Sequence, residues 1–91
     1  KIDSGYLWKN ISKSDVISAI ETVLELDSGT LNEESRADEF EEWDSLGILG
    51  VLVALDKLFD GKVGKISEMA TADSIAKILT ALRKNSLITD Q

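Results

Sequence analysis

Residues 45–59 read SLGILGVLVALDKLF, an apolar run in which only Asp56 and Lys57 carry charge. Strands in globular proteins rarely exceed about ten residues, so a run of this length is a helix, and everything else in a short chain must pack around it. At 100° per residue, Ile48, Val51, Leu52, Leu55, Leu58 and Phe59 fall within an arc of about 120°, which is the expected core face. Leu46, Leu49 and Val53 fall on nearly the opposite side, beside Gly50, Asp56 and Lys57. If the first arc is buried, the second is an exposed apolar stripe.

The remaining text supplies partners for that helix. SKSDVISAIETVLEL, from Ser12, places Val16, Ile17, Ile20, Val23 and Leu24 at helical spacing, with Ser18, Glu21, Thr22 and Glu25 on the polar side. Ser12 or Ser14 caps this first helix, Asp15 suits its positive end, and Asp27-Ser28-Gly29 ends it. A polar segment, Thr30 to Asp44, follows. It is long for a structureless connection in so small a domain, so Leu31, Ala37, Phe40 and Trp43 are expected to pin it to the body. Asp60-Gly61-Lys62 breaks the second helix, and Val63 to Met69 holds at most one turn, around Ile66 to Met69. Thr71 then opens TADSIAKILTALRKN, whose Ile75, Ile78, Leu79 and Leu82 form a last amphipathic helix with Arg83 and Lys84 at its negative end. No strand pattern and no repeat occurs. The expectation is an all-α domain over residues 1–91: a small helical bundle of three principal helices, a short third helix or turn, and a long loop between the first two. Residues 1–11 are expected to be flexible or extraneous to it.

Composition narrows the chemistry. With no cysteine and no histidine, the chain lacks disulfides, thiolate nucleophiles, the commonest general base and the commonest transition-metal ligands, so a self-sufficient hydrolase or zinc enzyme is not expected. Seventeen acidic against ten basic side chains leave a net charge of −7, and eight of the acids lie between Asp27 and Asp44, opposed only by Arg36. Such a field repels phosphate backbones and anionic headgroups and attracts basic partner surfaces, so no nucleic acid partner is expected. No stretch approaches the roughly 18 apolar residues of a membrane span, and KIDSGYLWKN has no signal-like apolar region, so no membrane insertion and a cytoplasmic location are expected. An EF-hand reading of the loop from Asp27 fails, because Gly29 and Asn32 stand where an oxygen ligand and a glycine are needed and Asp38 replaces the terminal glutamate. No glycine-rich phosphate cradle or catalytic triad is present, and no metal site is expected.

At the entrance of the second helix stands Ser45, between Asp44 and Leu46. Asp44 or Ser45 suits the cap position, where a side-chain oxygen accepts an unpaired backbone N–H. A helix N-terminus also favours phosphate, so a phosphodiester-linked serine would be stabilised there, and the end of a long loop is open to a modifying enzyme.

Trp43 to Asp60, WDSLGILGVLVALDKLFD, resembles the prosthetic-group site and second helix of acyl carrier proteins, in which Asp-Ser-Leu precedes an apolar helix ending in Leu-x-x-x-Phe. Asp44-Ser45-Leu46 and Leu55-Asp56-Lys57-Leu58-Phe59 fill those places, and the order of helices and the long acidic loop resemble the family across the domain. The resemblance implies that a phosphopantetheinyl transferase, using coenzyme A and magnesium, attaches 4′-phosphopantetheine to Ser45. It implies a non-catalytic carrier that presents a thioester to loading ligases and to acyl-transferring or condensing enzymes, as a monomer. It further implies that Asp44, Leu46, Leu49, Val53 and Asp56 meet those partners. Departures from fatty-acid carriers are Gly47, Gly50 and Lys57, where acids are usual, and the short element at Val63 to Met69. The pathway is therefore expected to be a specialised lipid, polyketide or related one. Two other readings stay open: an aminoacyl, peptidyl or D-alanyl carrier, and an unmodified helical interaction module that uses Leu46, Leu49 and Val53 as a plain binding stripe.

Overall fold

The computed structural model describes residues 11–88, and the expectation for residues 1–10 lies outside them. Three α-helices, α1 (Lys13–Val23), α2 (Ser45–Leu58) and α3 (Ile75–Lys84), alternate with two 3-10 turns, Ala37–Glu39 and Ser67–Thr71. Among the described residues there is no strand, only an isolated antiparallel bridge between Arg36 and Ser74. Over the described residues the fold is all-α, as expected. Ile11 packs partly buried against the core.

Each helix start follows from capping chemistry. Ser12 caps α1 in a capping box, its hydroxyl accepting from the Asp15 amide while the Asp15 carboxylate accepts from the Ser12 amide at 3.0 Å. Ser74, not Thr71, caps α3, its hydroxyl accepting from the Lys77 amide at 3.1 Å. The reason for the later start is the bridge. The Ala37 amide donates to the Asp73 carbonyl at 2.8 Å and the Ile75 amide to the Ser35 carbonyl at 3.0 Å, which holds the chain extended up to Ser74 and leaves Thr71 in the 3-10 turn. That turn takes the place of the short third helix and lies slightly later than Ile66 to Met69.

α1 ends at Val23, four residues before the expected stop at Asp27. Glu25 takes a left-handed conformation, φ 62°, and turns the chain back so that the Leu26 amide donates to the Glu21 carbonyl. Two side chains of α1 differ from the expected faces. Glu21, expected on the polar face, is buried, and its carboxylate accepts the Gly29 and Leu31 amides at 3.0 and 2.9 Å. Val23, expected in the core, is exposed on the α2 side of the last turn.

The core gathers Val16, Ile20 and Leu24 with Val51, Leu55, Phe59 and the α3 residues Ile75, Ile78, Leu79 and Leu82. Ile48, Leu52 and Leu58 pack partly buried against it, so the whole predicted arc of α2 faces inward. Leu31 and Trp43 are buried and Ala37 and Phe40 partly buried, which pins the long loop as expected. A Lys13–Glu33 ion pair at 2.8 Å adds a tie from α1 to that loop, exposed and so of small worth.

Candidate functional site

The site is the entrance of α2 and the face that runs from it. Asp44 is the cap: its backbone is extended and its carboxylate accepts the Gly47 amide at 2.9 Å. Ser45 is therefore the first helical residue, exposed and not engaged in capping. The amides of residues 45 and 46 have no acceptor one turn earlier in the helix, so the positive end of the dipole opens beside the hydroxyl. An anionic group esterified to Ser45 fits this setting without displacing any side chain from the core.

The approach to Ser45 is held from below and tuned from above. Trp43 is buried at 2% exposure and anchors the loop directly under the helix entrance, its indole N–H buried without a hydrogen-bond partner. Glu41, Glu42 and Asp44, which precede the serine in the chain, are exposed. The chain folds back so tightly here that a Cβ on Gly47 would overlap the Glu42 carbonyl oxygen and lie 3.0 Å from a Leu24 methyl. Glycine at 47 is thus required by a neighbouring backbone. Gly50 has a different environment, with only a Val23 methyl 3.4 Å from where its Cβ would stand.

Beyond the entrance the stripe is exposed as its spacing predicts: Leu46 at 78%, Leu49 at 56% and Val53 at 47%. Val23 from α1, 36% exposed, joins them. Together with Gly50, Ala54 and Lys57 they line an open groove of about 460 Å³. Leu46, Leu49 and Val53 thus share one groove, while Asp44 and Ser45 are exposed at the start of the same helix. Asp56 differs, because its carboxylate accepts the Gly64 amide at 2.6 Å and fixes the loop after α2.

Val23 and Gly47 were not expected among the site residues. A glycine inside an otherwise strong helix signals close approach, but whether of a partner or of the chain itself depends on how the loop folds. Val23 joins the surface because its side chain lies beside Gly50 of α2 and not in the core. Among the described residues no group of three or more acidic side chains is arranged to hold a metal ion, and no helix is long and apolar enough to cross a membrane. No family model, curated protein or solved structure matches the chain. The likeness of residues 43–60 to a carrier helix therefore rests on the residues themselves.

Proposed function

We propose that this chain is an acyl carrier protein, modified on Ser45 with 4′-phosphopantetheine and serving a specialised lipid, polyketide or related pathway rather than primary fatty acid synthesis. The observation that carries the reading is the division of labour at the head of α2. Asp44 makes the cap, and Ser45, one residue on, keeps an exposed hydroxyl at a helix N-terminus. A serine whose purpose was capping would occupy the position Asp44 holds.

The prosthetic arm, when attached, supplies the thiol that a chain without cysteine lacks. The chain's own residues do the rest. The first amides of α2 stabilise the negative charge of a phosphodiester at Ser45. Trp43 and the tight Gly47–Glu42 approach hold the serine's backbone against the domain. Leu46, Leu49 and Val53 give the transferase, ligases and acyl-transferring enzymes an apolar surface beside the attachment point, and Asp44 offers them a negative one. Chemistry on the cargo belongs to those enzymes.

The test is covalent. With coenzyme A, magnesium and a broad-specificity phosphopantetheinyl transferase, the wild-type protein gains one group and a folded Ser45→Ala variant gains none. An interaction module would remain unmodified and keep its binding in the same variant.

A further inference from the structure

We infer that the α2 groove seats a partner protein whose contact surface is basic, then apolar, then acidic along about 18 Å, the helical rise from Ser45 to Lys57. The inference rests on the carrier reading for the partner's identity as an enzyme acting at Ser45. The order of its charges comes from the surface alone.

At the Ser45 end, Glu41, Glu42 and Asp44 are exposed. At the far end Lys57 lines the same groove, also exposed, and has no ion-pair partner among the described residues. Lys13, Lys77 and Lys84, by contrast, each have a carboxylate within 2.9 Å, in a chain where acids outnumber bases seventeen to ten. The neighbouring Asp56 does not neutralise Lys57; its carboxylate is turned to the Gly64 amide. Between the two charged ends Val23 adds a second wall to Leu46, Leu49 and Val53, with Gly50 as a low point in the floor. A uniformly basic partner matches one end and is repelled at the other, so Lys57 narrows the choice of partner as much as the acids attract it.

Lys57 also suits the negative end of α2, but that role is met by a lysine on any face of the last turn and does not put it in the groove. A second copy of this chain, packed antiparallel, presents the same order of charges. Four exposed apolar side chains nevertheless fall well short of the about 20–30 residues a side that a stable interface uses, whereas a short-lived encounter steered by charge needs no more.

The test is an NMR titration of the isotope-labelled protein with three synthetic amphipathic helical peptides that share one apolar face. One carries arginines at one end and glutamates at the other, the second arginines at both ends, the third glutamates at both. The first should bind tightest, shifting signals of Val23, Leu46, Leu49 and Val53. Lys57→Glu should weaken that peptide and strengthen the doubly basic one, each by about three- to ten-fold, with Lys57→Gln between, and all variants are checked for unchanged helical circular dichroism. Wild-type protein that prefers the doubly basic peptide, or that shifts with none of the three at millimolar concentration, overturns the inference. Stripe signals that move with protein concentration alone overturn it in favour of a second copy. Because none of these readouts needs a modified serine, a failure to modify Ser45 would remove the carrier reading without touching the titration result.

Discussion

The Asp44 carboxylate accepts the Gly47 amide at 2.9 Å, which makes Asp44 the cap of α2 and leaves Ser45 as the first residue inside it. Two adjacent residues that both favour cap positions thus have separate roles. Asp44→Ala should cost about 1 kcal/mol by losing the cap, while Ser45→Ala should change stability by no more than about 0.5 kcal/mol. Urea unfolding of the two variants checks this, and a larger loss for the serine would return the cap to Ser45.

The two glycines of α2 should respond oppositely to alanine. Each substitution gains about 1 kcal/mol of helix propensity. At Gly47 the new methyl overlaps the Glu42 carbonyl oxygen and crowds Leu24, so the net effect should be destabilising by about 1–3 kcal/mol. At Gly50 the nearest atom is a Val23 methyl at 3.4 Å, and the gain should survive in part. Thermal unfolding of Gly47→Ala and Gly50→Ala should move in opposite directions.

Glu21 ties the α1–α2 loop to the domain from a buried position, through the amides of Gly29 and Leu31. Removing the carboxylate leaves both N–H groups without their acceptor, so Glu21→Ala should cost about 2–4 kcal/mol, and Glu21→Gln, which keeps one oxygen, clearly less. Amide hydrogen exchange at Gly29 and Leu31 should accelerate in the alanine variant before exchange in α3 does.

A hydrogen bond from the Lys77 ammonium at 2.9 Å, and its charge, hold the Asp73 carboxyl below its ordinary value of 3.8. In the unfolded chain that carboxyl binds its proton at higher pH, so the contribution to stability is present above 3.8 and is lost as pH falls through the lower folded value. Asp73→Asn should therefore lower the melting temperature slightly at neutral pH, with the difference from wild type closing in acid. Because both side chains are exposed, raised salt should shrink the same difference at pH 7.

The features legible in the sequence are those that depend on local period. Val51, Leu55 and Phe59 point inward while Leu46, Leu49 and Val53 point outward, as a 100° rotation requires. The unread features depend on partners distant along the chain. Glu21 is polar and sits on the polar side of its helix by count, but its acceptors' donors lie eight and ten residues on. Gly47 answers to a carbonyl on the preceding loop, and Val23 lies exposed beside Gly50 of α2 instead of in the core. Where two capping residues stood close together, as in Asp44-Ser45 or in Thr71 and Ser74, propensity alone did not choose. The cap hydrogen bonds and, at α3, the Arg36–Ser74 bridge did.

The most direct measurement is an intact-mass spectrum of the wild-type and Ser45→Ala proteins after incubation with coenzyme A, magnesium and a broad-specificity phosphopantetheinyl transferase. A carrier gains the mass of one phosphopantetheinyl group, the gain is absent from the variant, and peptide mapping places it on Ser45. Folded wild-type protein that stays unmodified with several transferases would contradict the carrier reading and leave the exposed stripe of α2 as a plain binding surface.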